Sequence, residues 1–236
     1  MQVWFTEDWL DGLRISVQIK SVVYTKRTKF QELCIFDTVE FGRMLVLDNA
    51  IQTTEKDEYI YHESIVHVPL FSHPNPENVL IIGGGDGGSL REALRHPGIK
   101  QVTMVDIDGD VVEASKQYLP GWNTGFSDPR ARVLIEDGLK FVATTGDRFD
   151  LVIVDSTDPE GPGEALFVPE FYAAIAKILK PGGMLCAQTE SPIGTPELVR
   201  DIYQRIAGVF PVTGLYTVPI PSYPGGWWSF TCGSLG

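Results

Sequence analysis

The 236-residue sequence predicts an α/β fold: a doubly wound, mostly parallel sheet preceded by a small antiparallel β domain. Three observations carry this reading. Five apolar runs, Val79-Leu80-Ile81-Ile82, Val102-Thr103-Met104-Val105, Val133-Leu134-Ile135, Leu151-Val152-Ile153-Val154 and Met184-Leu185-Cys186-Ala187, lack the alternation of a half-solvated strand. Strands buried on both faces require such runs, and helical patterns separate them. Before Thr54 the pattern differs, with short β-rich runs broken by turn residues. At 43% hydrophobic and 21% charged residues, the chain can bury the core of one main domain and a smaller one.

In chain order, β-rich runs at 15–24, 33–36, 44–47 and 51–53 are punctuated by Asp37, Gly42, Asp48 and Asn49. They give an antiparallel N-terminal domain over residues 1–55. A helix over 56–71 opens the second domain, residues 56–236, with Ile60, Ser64, His67 and Phe71 near one stripe and Pro74 and Pro76 closing it. Further helices are expected at 88–96, 109–119, 138–144, 169–179 and 196–209. Lys180-Pro181-Gly182-Gly183 stops one of them and leads into a strand. The last two strands are expected at 214–218 and 227–232.

A formal net charge of −12 repels phosphate backbones and anionic lipid heads, so neither nucleic acid nor a membrane is expected as a partner. The same field favours cationic small molecules, or serves solubility alone. Cys34, Cys186 and Cys232 are odd in number and form no C-x-x-C pair, which argues against a disulfide framework or a cysteine zinc site. With no basic, then apolar, opening stretch and no run of about 18 apolar residues, the cytoplasm is the expected compartment.

The strand at 79–82 runs into Gly83-Gly84-Gly85-Asp86-Gly87-Gly88, a turn whose missing side chains let a ligand approach the backbone. Asp106 ends the next strand, where a carboxylate grips ribose hydroxyls in nucleotide-binding α/β folds, and Asp137 follows the third strand within reach of an adenine edge. Singly, each carboxylate reads as a helix cap or turn residue. Carboxylates in register at successive strand ends read as a binding site. Asp86 sits where a pyrophosphate would have to lie and would repel it, so an S-adenosyl ligand fits better than a dinucleotide, and Asp86 suits an ammonium. The architecture is then the Rossmann-like one of S-adenosylmethionine-dependent methyltransferases.

The fourth strand ends in Asp155-Ser156-Thr157-Asp158-Pro159, followed by Glu160-Gly161-Pro162-Gly163-Glu164. Acids with Gly and Pro beside a nucleotide-type site, with no His or Cys cluster, suit a cation pocket, with a Mg2+ site as the alternative. The segment 156–166 reads as a lid without regular structure that closes over both substrates.

Gly83-Gly84-Gly85-Asp86-Gly87-Gly88-Ser89-Leu90-Arg91-Glu92, Asp137-Gly138, Asp155-Ser156-Thr157-Asp158-Pro159 and Pro221-Ser222-Tyr223-Pro224 together closely resemble the spermidine synthases, the polyamine aminopropyltransferases. The resemblance implies transfer of an aminopropyl group from decarboxylated S-adenosylmethionine, a co-substrate, to putrescine, giving spermidine and methylthioadenosine. It implies no metal, no resident cofactor, and a homodimer or homotetramer. By the same resemblance Gln31, Asp106, Asp137, Gly138 and Pro162 contact the methylthioadenosine part, with the loop Gly83, Gly84 and Gly85 beneath it. Asp86, helped by His62, holds the aminopropyl ammonium. Tyr61, Asp155, Asp158, Gln188 and Tyr223 surround the diamine, with Asp155 as the base and Tyr61 or Ser156 relaying hydrogen bonds. Cadaverine, agmatine or spermidine remain possible acceptors. An amine methyltransferase and a catalytically silent adenosyl-binding module share the fold; the first has to accommodate the donor's carboxylate beside Asp86, and the second has no need for Asp155, Asp158 and Tyr61 together.

Overall fold

The structure, a computed structural model, describes residues 2–158 and 161–236; the side chains of residues 161 and 162 lie outside the described set. Pro159 and Glu160 are therefore not described.

The N-terminal strands β1 (Val3–Leu10), β2 (Leu13–Arg27), β3 (Glu32–Thr38), β4 (Arg43–Leu47) and β5 (Ala50–Thr54) form an antiparallel meander in sequence order. The first of these strands is absent from the sequence reading. Its burial follows no apolar alternation, since its one buried side chain is Glu7. The signal that reveals it is Asp11-Gly12, a two-residue hairpin turn in which Gly12 takes φ +93°.

Helix α1 (Glu58–Ser72) buries Glu58, Tyr61, His62, Ile65, Val66, Pro69 and Leu70. The expected stripe through Phe71 is wrong: Phe71 is 79% exposed, and the buried face carries polar groups that a hydrophobicity pattern rejects. The second sheet contains β6 (Asn78–Gly83), β7 (Gln101–Asp106), β8 (Ala131–Ile135), β9 (Phe149–Asp155), β10 (Leu179–Gln188), β11 (Val212–Pro219) and β12 (Trp227–Ser234). Their order is β11-β12-β10-β9-β6-β7-β8. The five strands from β6 to β10 run parallel, and β12 and β11 are added antiparallel.

Helices α1, α2 (Gly88–Leu94) and part of α3 (Gly109–Tyr118) cover one face of this sheet through Ile65, Leu90 and Val112. Helices α4 (Gly138–Thr144), α5 (Pro169–Ile178) and α6 (Pro196–Ala207) cover the other through Phe141, Ile175 and Ile202. Leu80, Ile81 and Val152 between the layers are fully buried, and each contributes about 1.5–3 kcal/mol relative to exposure. The two sheets meet through α3 and the segment after it: Val111 and Ala114 of α3, with Trp122 beyond its end, pack on Leu33, Ile35 and Leu45 of the meander. Residues 161–167, expected without regular structure, form a short 3-10 turn. Gly163 makes it possible, because a Cβ there would stand 2.5 Å from the Asp158 carbonyl oxygen. No helix of the described residues is long and apolar enough to cross a membrane.

Candidate active site

Strand order reverses between β6 and β9, and a ligand crevice opens beyond the carboxyl ends of strands at such a point. Here Gly83 is the register partner of Asp155, and the Gly84 N–H donates to the Asp155 carbonyl at 2.8 Å. A Cβ on Gly83, whose φ is +83°, would lie 2.1 Å from that carbonyl oxygen. Only glycine lets the two strand ends come this close. The resulting cavity, about 570 Å³, extends from Gln31, Asp106 and Asp137 at one end to Glu7, Asp158 and Glu190 at the other.

The central carboxylates are held in different ways. Asp155 accepts from the Tyr61 hydroxyl at 2.7 Å and from the Ser89 hydroxyl at 2.6 Å. Burial, reinforced by the neighbouring Asp86 charge, pushes its carboxyl above the ordinary range. Burial and the facing Asp155 also hold the Tyr61 phenol well above its usual value, so Tyr61 stays a donor. Ser156, the expected alternative relay, makes no such bond: its buried hydroxyl has no hydrogen-bond partner among the described residues, and Ser89 occupies that role.

Asp86 accepts from the Gly88 N–H at 2.8 Å and from His62 Nε2 at 3.1 Å. His62 Nδ1 faces Glu58, which is also paired with Arg91 through both guanidinium nitrogens at 3.0 and 2.9 Å. Burial opposes a charge on His62, but Asp86 and Glu58 outweigh it and hold the imidazole up to about 10. Both ring nitrogens therefore donate. Glu58 is itself disfavoured by burial yet kept below the ordinary range by His62 and Arg91. Gly88 leaves room for this imidazole, since a Cβ there would sit 2.2 Å from it.

At one end, burial pushes Asp106 up to about 6, against the opposing hydrogen bond from the Asp108 N–H at 2.8 Å. Asp108 caps α3 and accepts from Gln31 Nε2 at 2.9 Å and Thr28 Oγ1 at 2.7 Å, fixing the β2–β3 turn against the cavity. Asp137 is exposed and caps α4 through the Leu139 N–H, and Gly138 packs on Ile82; both line the cavity. The Pro162 side chain lies outside the described residues.

At the opposite end Asp158, Gln188 and Tyr223 share the wall. Gln188 is buried and its Nε2 donates to the Ser156 carbonyl at 3.2 Å. Tyr223 donates to the Gln52 carbonyl and packs edge-on against Trp228 at 4.9 Å. Tyr61 stands 6.1 Å from Tyr223. All the expected side chains except that of Pro162 thus border one cavity. Sequence reasoning missed Glu7, Glu58, Ser89, Arg91 and Glu190. The Glu58-His62 spacing of one helical turn was a usable signal, and Ser89 and Arg91 stand within the Gly-loop motif itself. Burial pushes Glu7 up to about 7, against its hydrogen bond from the Ile51 N–H at 2.8 Å and with help from Asp158.

Comparison with known proteins agrees with this geometry. Residues 58–235 match the family model of the spermine/spermidine synthase domain, and residues 3–55 match that of the spermidine synthase tetramerisation domain. The polyamine aminopropyltransferase of Desulforudis audaxviator is 53% identical over 234 residues, 99% of this chain and 85% of that protein. That of Bacillus subtilis is 48% identical over 233 residues, 99% and 84%. A crystal structure of spermidine synthase with the transition-state analogue AdoDATO superposes with a TM-score of 0.96 at 41% identity, covering 99% of this chain and 80% of that one. The Thermotoga maritima spermidine synthase gives 0.93 at 39%, covering 99% and 79%. Two family models that together span nearly the whole chain, and relatives about half identical to it over 99% of its length, show that this chain belongs to the spermidine synthase family of polyamine aminopropyltransferases.

Proposed function

We propose that this transferase moves the aminopropyl group of decarboxylated S-adenosylmethionine to putrescine, giving spermidine and methylthioadenosine. The observation that carries the reading is Asp155: a partly buried carboxylate raised above its ordinary range, held by two hydroxyls, midway along a cavity with further carboxylates at both ends. A diamine nitrogen, with a pKa of about 10, arrives protonated and cannot attack. Asp155 takes one proton from it. The freed lone pair forms the N–C bond at the methylene next to the sulfonium, the C–S electron pair returns to sulfur, and neutral methylthioadenosine leaves. Because the sulfonium is already an activated leaving group, the scheme calls for no metal and no resident cofactor. Asp86, oriented by His62, receives the aminopropyl ammonium; Asp106 faces the ribose and Asp137 the adenine; Asp158, with Gln188 and Tyr223, holds the far ammonium.

The match of residues 3–55 to a tetramerisation domain supports assembly as a homodimer or homotetramer, as do Val3, Trp4, Leu10, Leu13 and Val22, exposed on the first hairpin. Three free cysteines fit a reducing cytoplasm. The acceptor is tested by competing putrescine, cadaverine, agmatine and spermidine at equal concentration with the decarboxylated donor. Spermidine formation should dominate, and a higher kcat/KM for any other amine would replace putrescine in this reading.

A further inference from the structure

A second cluster of ligand-type side chains lies on the outer side of α1 and α2, away from the reaction cavity. Glu63 and His67 are one turn apart on α1; Glu92 lies in the last turn of α2 and His96 just beyond it. A carboxylate oxygen of Glu63, one of Glu92 and a ring nitrogen of His67 all lie within 4.8 Å of one another. His67 Nε2 is 3.0 Å from Glu92 Oε2, and its other nitrogen is 2.8 Å from His96 Nε2. The contact with His96 fixes the ring orientation, as an outer partner does for a metal-ligating histidine. Phe71 lies against both rings, at 6.0 Å from His67 and 4.9 Å from His96, and supplies an apolar cover. Glu92 is buried, whereas Glu63 and His67 keep access to solvent, so an ion has an entry path. Two guanidinium groups already stand at this point: Arg91 holds Glu92 Oε1 at 2.6 Å and leaves Oε2 to the site, while Arg95, 61% exposed, reaches Glu92 Oε2 at 2.8 Å and Glu63 at 3.7 Å.

We propose that Glu63, His67 and Glu92 form a site for a divalent transition-metal ion such as zinc or cobalt, with His96 positioning His67. Two carboxylates and one imidazole suit such borderline ions, water completing the coordination. On binding, the ion takes the place of Arg95, whose exposed side chain swings into solvent. The ion then ties α1, which carries Tyr61 and His62, to α2, which carries Ser89. The cluster lies outside the reaction cavity, is linked to His62 through Arg91, which pairs with both Glu92 and Glu58, and does not depend on the acceptor.

The test is titration of the intact enzyme with cobalt, read by its visible absorption, and with zinc, read by calorimetry. Wild type should bind one ion per chain. His67→Ala should abolish uptake, as should Glu63→Gln at a half-exposed position where folding is least at risk. His96→Ala should weaken binding by about tenfold to a hundredfold, as loss of an outer partner does. Arg95→Gln should tighten it, a gain that a purely structural ion-pair cluster does not give. His73→Ala, which removes an unrelated histidine nearby, should bind as wild type does. No uptake by wild type, unchanged uptake by His67→Ala, or no tightening by Arg95→Gln each overturns the proposal.

Discussion

Two hydroxyl donors and a neighbouring carboxylate set opposite demands on Asp155, and the balance decides its chemistry. The Tyr61 and Ser89 hydroxyls favour the charged form, while burial and Asp86 favour the proton. The net rise makes it a better acceptor than a solvated aspartate, provided the pH lies above its value. Asp155→Asn should therefore lower kcat by about a hundredfold or more while methylthioadenosine still binds by calorimetry. Asp158→Asn should act mainly on the KM of the amine. Ser89→Ala removes a donor to the carboxylate, so the carboxyl rises further and the acidic limb of the kcat/KM profile moves to higher pH; a limb that stays in place or moves down would show that Ser89 does not touch the base. Asp86→Asn should weaken the decarboxylated donor and reduce its advantage over ordinary S-adenosylmethionine, because the aspartate no longer repels the extra carboxylate. The aspartates were legible as strand ends in sequence. Their keepers were not: Ser89 lies 66 positions from Asp155, and only the parallel pairing of β6 with β9 brings them together.

The first hairpin and the segment after β9 are the two elements where local sequence and tertiary context disagree. β1 shows no apolar alternation because its inward position is occupied by Glu7, a charge-bearing group that the cavity, not the core, receives. The α1 face was misjudged for the same reason, since Glu58 and His62 are buried by their ion pairs and not by hydrophobicity. The hairpin should reveal Glu7 through pH. Its folded value of about 7 lies above the ordinary 4.5, so the folded state binds more protons between these values and stability falls as pH rises through that window. Replacement by Gln should remove this loss, by up to about 3 kcal/mol at pH 8 and nothing at pH 4. Equal urea stability of the two proteins at both pH values would show that Glu7 is not desolvated. The turn at 161–167 packs Gly163 against the Asp158 carbonyl and stands over the cavity through Leu166. Hydrogen exchange at Gly163 and Leu166 should slow more with methylthioadenosine and diamine together than with either alone. Protection that is identical with and without ligands would mark the turn as a fixed wall.

At the scale of the whole molecule, the doubly wound arrangement was legible because unbroken apolar runs separated by helical patterns suit strands covered on both sides, as β6 and β9 are; the run at 133–135 instead forms the edge strand β8, where Ile135 is 54% exposed. The order of those strands, by contrast, rests on which helices pack on which face, a property of distant contacts that no local window contains. The net charge of −12 is a property of the entire chain, and the cavity concentrates it: Glu7, Asp86, Asp155, Asp158 and Glu190 all line one crevice. Walls of low dielectric focus such a field into the solvent at the mouth, raising the local concentration of cations and their encounter rate. Putrescine and decarboxylated S-adenosylmethionine both carry two positive charges, so both should be drawn in. The attraction acts over roughly 10 Å at 0.1 M salt and only about 3 Å at 1 M. Raising potassium chloride across that range should lower kcat/KM for the diamine by about tenfold, because encounter weakens. It should leave kcat nearly unchanged, because the proposed proton transfer to Asp155 takes place within the cavity, where mobile ions screen little. A kcat/KM that does not respond to salt would show that the acidic surface serves solubility alone and that the amine is captured only by contacts made within the pocket.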